Sequence, residues 1–221
     1  MNIPKTYELF DLSRTIAGKL LENSVFPFDV LPKIKDFILW LGETLDKDEY
    51  ERVHEDVWIS KHAKIHSNAT INGSTVICPE SELRPGAFIR GSAVIGEGAI
   101  VGNSTEIKNS VIFDGVQIPH YNYVGDSILG YKSHMGASAI ASNFKLDHTN
   151  VKVREANEVY DTGLRKFGVM LGDFSEVGCG SVLNPGTIIG RETLIYPLTN
   201  VRGIIPPHSI LSNNGEIKAR K

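Results

Sequence analysis

Cysteine is scarce in this 221-residue chain: Cys78 and Cys179 are the whole complement. Two thiols so far apart supply neither a disulfide framework nor a paired zinc-ligand spacing, and both read as packed or partly exposed free thiols. An excess of one charge is also lacking. With 23 Lys and Arg against 26 Asp and Glu the net charge is -3, which argues against broad nucleic-acid binding and leaves room for a local basic pocket. No apolar run reaches membrane-spanning length, and the opening MNIPKTYELF lacks the basic-then-apolar order of a secretory signal. A cytoplasmic protein that binds neither membrane nor nucleic acid is expected.

What is present is a six-residue beat. Ile59, Ile65, Ile71, Ile77, Leu83, Ile89, Ile95, Val101 and Ile107 follow one another at intervals of six, and Leu171, Val177, Leu183, Ile189, Ile195 and Val201 resume the series. Two positions before most of them stands a small or β-branched residue, such as Ala63, Ala69, Thr75, Ser81, Ser175 or Thr187. A period of six is neither helical nor a simple strand alternation, so it arises from short strands separated by like turns. That pattern predicts a mainly β fold, a parallel β-helix of hexapeptide repeats. Three hexads make a coil, so residues 18 apart stack about 4.8 Å from one another.

The rest of the chain departs from the beat. Residues 1–56 read as an α-helical segment: Leu9, Leu12, Ile16 and Leu20 share one helical face, and Asp29 caps a second helix with Pro32 in its first turn and Ile34, Phe37, Ile38 and Leu41 on one face. Their expected task is to cover the open first coil or a neighbouring subunit. The solenoid is expected over 57–210. Within it the beat shortens by one residue at Ile107 to Ile112 and again at Val124 to Leu129, and such irregularities cluster near functional sites. From 143 to 167 the beat gives way to a polar, charged stretch too long for a turn, read as a protruding loop or arm. Residues 211–221 form a basic tail.

Arg90 and Lys108 each follow an inward aliphatic and lie one coil apart. Two like charges about 5 Å apart repel by roughly 3 kcal/mol at an effective dielectric near 20. A bridging phosphate would relieve that; splaying into water is the alternative. His120, in the slipped segment PHYNYVGD, has the imidazole chemistry to take a proton from an incoming amine. Zinc chemistry of the carbonic anhydrase kind, which shares this repeat, needs three histidines. His62 and His66 fall in early regular coils, far from His120 and His134, so the spacing does not define a site and no metal is expected.

RPGA at 84–87, VGNSTEIK at 101–108, HYNYVGDS at 120–127 and HMGAS at 134–138 form an ordered series. Over residues 57–205 it resembles the acetyltransferase half of bifunctional N-acetylglucosamine-1-phosphate uridylyltransferases. The arm and the LRKFGVMLGD that follows are similar to related sugar-1-phosphate nucleotidylyltransferases. The resemblance implies a left-handed β-helix, a homotrimer with active sites between subunits, and acetyl-CoA as co-substrate. It implies His120 as catalytic base, Ala137 N–H and Asn143 at the oxyanion, and Tyr123, Lys108 and Lys152 on the substrate. The phosphate-binding arginine is Arg84 by local motif and Arg90 by the 18-residue register. His134 stands on the substrate side where the family has asparagine. Cys179 replaces a serine near the pantetheine, and Pro197-Leu198 replaces an Ala-Gly pair lining the coenzyme channel. The first 56 residues hold two glycines, Gly18 and Gly42, and so lack the glycine-rich loop of uridylyl transfer. The expectation is N-acetylation of an amino-sugar phosphate or nucleotide-linked amino sugar; a non-catalytic sugar-nucleotide binding or scaffold protein is the alternative.

Overall fold

A computed structural model describes residues 2–155 and 158–220. Short strands stack into a parallel β-helix of about eight turns, three strands to a turn. Face one carries Phe88–Ile89, the start of Glu106–Ile112 and of Tyr123–Leu129, Ile140–Ala141, Val182–Leu183 and Asn200–Val201. Face two carries Val57–Ser60, Thr75–Ile77, Ala93–Ile95, the ends of Glu106–Ile112 and Tyr123–Leu129, Val169–Leu171 and Thr187–Ile189. Face three runs from Lys64–Ile65 to Ser209–Leu211. The beat is the interior: Ile71, Ile89, Ile107, Val124, Ala141, Leu183 and Val201 occupy successive rungs of one inward column. Corners turn on left-handed backbone. Between faces two and three that position is held by Gly98, Gly115, Lys132, Phe174, Glu192 and His208, with φ from 52° to 68°.

Face two is apolar outside as well as inside. Its outward column, Val76, Val94, Val111, Ile128, Met170 and Ile188, is fully buried, because the N-terminal segment lies along it. Helix Ile34–Thr44 packs on the upper strands, and the 3-10 stretch Pro27–Lys33 packs on Tyr123–Leu129. At the corner just beyond Ile112, Phe10 meets Phe113 with ring centroids 5.2 Å apart. The helices therefore cover a side of the solenoid, whereas their expected task was the open first coil or a second subunit.

Its secondary structure is more broken than the periodicity predicts. Leu9, Leu12, Ile16 and Leu20 are divided among helix Thr6–Leu9, the 3-10 turn Leu12–Arg14 and helix Gly18–Leu21, because Phe10 and Thr15 are extended. Asp29 lies within the 3-10 stretch, which runs directly into the helix at Ile34. Tyr50–His54 is a strand, antiparallel to Val57–Ser60, and supplies the edge cover for the first coil. At the far end Ile217–Ala219 pairs antiparallel with Ser209–Leu211, so the basic tail also contributes a covering strand.

The arm is an antiparallel hairpin, Lys152–Glu155 with Glu158–Asp161. It is anchored where the sequence reads as polar: Val151, Val153 and Phe167 are fully buried. Phe167 stacks on Phe28 at 5.1 Å, and Tyr160 packs on Phe26 at 5.8 Å, joining the arm to the N-terminal segment.

One carboxylate fastens that segment to the coils. Asp173, 1% exposed, accepts from the amides of Asp11 and Tyr131, each at 2.8 Å, and pairs with Arg191 at 2.9 Å. Replacing Asp173 by Ala strands two amides and a guanidinium. An expected loss of about 3 kcal/mol in unfolding free energy follows, measurable by urea denaturation.

Candidate functional site

The two one-residue slips build a corner with unusual chemistry. In a regular turn the chain passes from face one to face two through Arg90, Gly91 and Ser92; in the next two turns Asn109 and Asp126 take the left-handed position, with φ of 46° and 49°. Arg90 N donates to Ile107 O at 2.8 Å, and Lys108 is in register with Gly125. Arg90, Lys108 and Gly125 are thus successive rungs of one outward column.

The two cations are not bare. Arg90 Nη1 lies 2.8 Å from Glu106 Oε1, and Lys108 Nζ lies 3.4 Å from Asp126 Oδ2. The repulsion expected from the sequence is relieved within the chain, so it does not by itself demand an anion. Asp126 is the hub. Buried at 5% exposure, it also accepts from Asn109 Nδ2 at 2.8 Å and from Asn143 Nδ2. Gly125 leaves the third rung without a side chain; a Cβ there would stand 2.6 Å from Asn143 Nδ2 and 2.5 Å from the Tyr123 hydroxyl. Tyr123 uses that space to meet Asn143. Burial, then the charges of Asp126 and Glu106, push its phenol up, so it stays a neutral donor near pH 7.

Arg90, Lys108, Tyr123 and Asn143 line one pocket of about 290 Å³ with Phe144 and Lys166. Sequence reasoning missed Asp126, Phe144 and Lys166. The slip itself pointed to Asp126; the other two flank the arm, where no beat exists to set their direction.

A second group lies across face one, at its corner with face three. Gln117 pairs with His134, His134 with Glu176, and Glu176 with Leu194. Counting on three residues along each rung puts His120, Ala137, Cys179 and Pro197 in one column. Main-chain bonds tie these corner loops together: Ser138 N donates to His120 O at 3.0 Å, Gly180 N to Ala137 O at 2.9 Å and Leu198 N to Cys179 O at 2.9 Å. The His120 imidazole is exposed. Ala137 N–H meets no backbone carbonyl among the described residues. Asn122, 3% exposed, holds the corner by donating to Gly136 O at 2.8 Å and Ala139 O at 3.0 Å. The loops at Ala137 and Cys179 are small (Gly-Ala-Ser and Gly-Cys-Gly) and suit a ligand chain lying close to the backbone; Tyr196, Pro197 and exposed Leu198 make the next rung bulky.

Three expected site residues lie elsewhere. Arg84 pairs with Glu82 at 3.0 Å on the face-three side, away from Lys108; the 18-residue register selects Arg90 as the neighbour of Lys108. His134 lies in a larger groove on face three, its Nδ1 2.8 Å from Glu176 Oε2. Lys152 lies on the hairpin, in a pocket with Lys145, Arg154 and Arg202. Among the described residues no group of three or more His, Cys, Asp or Glu is placed to hold a metal ion, and no helix is long and apolar enough to cross a membrane.

The comparisons bear on this arrangement. Residues 52–162, half of the chain, match the model of the GMPPB C-terminal domain. The chain belongs to that family. Its β-helix is that of the hexapeptide-repeat acyltransferases. Over 92 residues it is 37% identical to a bifunctional sugar-1-phosphate nucleotidylyltransferase/acetyltransferase of Sulfurisphaera tokodaii, covering 42% of this chain and 23% of that one. Over 94 residues it is 37% identical to bifunctional protein GlmU of Methanococcus maripaludis, covering 41% and 22%. The chain thus matches less than a quarter of the length of these two relatives. Among solved structures, GDP-perosamine N-acetyl transferase from Caulobacter crescentus, its H141A mutant in complex with CoA and GDP-perosamine, is 16% identical with a TM-score of 0.37, over 74% of this chain and 56% of that one.

The two thiols differ sharply. Cys78 is buried and its pKa is pushed up to about 12, chiefly by that burial, while Cys179 is exposed. Ellman's reagent is expected to titrate one thiol per native chain and two after denaturation. Mass spectrometry should place the native label on Cys179.

Proposed function

We propose that this chain is an acetyl-CoA-dependent N-acetyltransferase acting on an amino-sugar phosphate or a nucleotide-linked amino sugar. The observation that carries the reading is the corner column, with His120 one rung from the Ala137 amide and three residues along the chain from Tyr123. In the family resemblance these are the base, the oxyanion donor and a substrate contact. The Sulfurisphaera tokodaii relative, a bifunctional sugar-1-phosphate nucleotidylyltransferase/acetyltransferase, lends the reaction class.

His120 takes the proton of the substrate amine as its nitrogen attacks the thioester carbonyl. Ala137 N–H donates to the oxygen that gains charge; Asn143, which the resemblance puts at the oxyanion, lies with Asp126 across face one and is left out of this step. Collapse forms the amide and breaks the carbon–sulfur bond, and the imidazolium returns the proton to the departing thiolate. Lys108, Arg90 and Tyr123 hold the phosphate; Lys152, which the resemblance adds to them, lies on the hairpin in a different pocket and takes no part in this contact. For Arg90 and Lys108 the phosphate has to compete with Glu106 and Asp126, so binding there is an exchange of partners. The reading includes a left-handed coil and a homotrimer whose subunits close the site between faces one and three, because face two is occupied by the chain's own N-terminal segment.

Replacing His120 by Ala is expected to lower kcat by about 10² to 10⁴ with substrate affinity nearly intact. Steady-state kinetics with glucosamine 1-phosphate and with nucleotide-linked amino sugars would check it; a wild-type chain that binds one of these and acetylates none overturns the catalytic role. Light scattering that returned a monomer at micromolar concentration would remove the intersubunit site.

Pro197 and the exposed Leu198 favour a second reading, a sugar-nucleotide binding protein without coenzyme chemistry. Under it, thermal-shift measurements would show stabilisation by nucleotide sugars and none by coenzyme A. Under the enzymatic reading both ligands stabilise the chain.

A further inference from the structure

The root of the arm divides the outward column of face one. On one side lie Arg90 and Lys108 with their carboxylates. On the other, the pairing of Ala141 with Leu183 and of Leu183 with Val201 puts Ser142, Asn184 and Arg202 on successive rungs. The hairpin lies directly against these lower rungs. A Cβ on Gly203 would stand 2.7 Å from Arg154 O, and one on Gly186 would stand 2.8 Å from Val151 Cγ1 and 3.0 Å from Lys152 O. Both glycines have left-handed φ, 80° and 81°, so these turns are shaped for the close approach of the arm.

Between the two walls, Lys145, Lys152, Arg154, Asn184, Pro185 and Arg202 enclose a cavity of about 80 Å³. Four of the six are cations, and none is acidic. Lys152 and Arg154 are two apart on one strand and project to the same side, while Val153 between them is fully buried on the other. Lys145 pairs with Asp147 at 3.0 Å. Among the described residues, Lys152, Arg154 and Arg202 have no ion-pair partner. The electrostatic condition that the sequence suggested for Arg90 and Lys108 is met here by three of the four cations: Lys152, Arg154 and Arg202 are held close by packed backbone and have no ion-pair partner among the described residues, with Asp161 standing opposite Lys152 in the hairpin register. The cavity admits one compact group, and its surplus of charge exceeds what a single carboxylate neutralises. Two guanidinium forks and the Lys152 ammonium, beside a Lys145 already paired with Asp147, match the three oxygens and higher charge of a phosphoryl group.

We infer that this pocket binds a phosphoryl group, at a site separate from the one containing Arg90 and Lys108. The inference does not depend on the acyltransferase reading. The group is either a free phosphate-type anion or the phosphate end of a nucleotide, whose remainder would lie outside the cavity.

Calorimetric titration of the full chain at low ionic strength with inorganic phosphate, pyrophosphate and ADP tests it. The Arg154→Ala/Arg202→Ala double variant is expected to lose at least tenfold in affinity for the tightest of the three. Arg202→Ala alone, which leaves the hairpin intact, gives a smaller loss in the same direction. Lys33→Ala/Lys35→Ala removes as much charge from the exposed surface of the N-terminal segment and is expected to stay within twofold of wild type. ADP binding more tightly than both inorganic anions assigns the group to a nucleotide; equal or weaker ADP binding assigns it to a free anion. Unchanged affinity in the double variant, an equal loss in the Lys33/Lys35 control, or no heat from any of the three anions overturns the site. A tenfold loss in Lys108→Ala with none in the pocket variants also overturns it, while leaving the upper phosphate site standing.

Discussion

Main-chain hydrogen bonding from each rung to the next is the constraint on which everything else in this molecule rests. Because strand pairs with strand in parallel register, a residue's neighbours are fixed by counting. A residue at one position of a coil touches its counterparts in the turns above and below, whatever their side chains. The inward positions therefore have to be aliphatic in series, and the corners need a left-handed residue in series. An outward column is a line of side chains at the interstrand spacing. Chemistry in such a fold is written in columns, and a residue's place in its column says more about its company than its sequence neighbours do.

The repeat was legible because the interior column tolerates few substitutions. Ile71, Ile89 and Ile107 are identical because each fills the same space. Where the constraint lapses, reading from sequence becomes less certain. Val76, Val94 and Val111 were visible as apolar residues, yet inward and outward positions in a three-residue strand differ by one place, so a second buried layer was not distinguished from the first. The N-terminal helices were overestimated for a related reason. Leu9, Leu12, Ile16 and Leu20 keep a helical period while the backbone between them bends to follow the turns of face two. In the arm, Val151, Val153 and Phe167 are few among many polar residues, and their burial depends on partners that no local pattern names.

The candidate site shows the same division. The register put Arg90 beside Lys108 and His120 beside Ala137, relations fixed by backbone alone. It could not foresee that Glu106 and Asp126 would neutralise the cations, because an ion pair depends on where long side chains reach. A pocket whose cations already have partners is specific in a way that bare charge is not. Under the proposed function an entering phosphate would have to offer better geometry than the carboxylates it displaces, so a weaker or misshapen anion would be refused.

The strip of N-terminal chain along face two also orders the way the molecule can be assembled. A solenoid can add turns one after another, each resting on the last, and this one buries an unbroken aliphatic row, from Val76 to Ile188, beneath a segment that precedes it in the chain. During synthesis the covering segment leaves the ribosome before any of the row it protects. Each new turn thus finds its lid already made, and face two need never stand exposed along its full length to a second nascent chain.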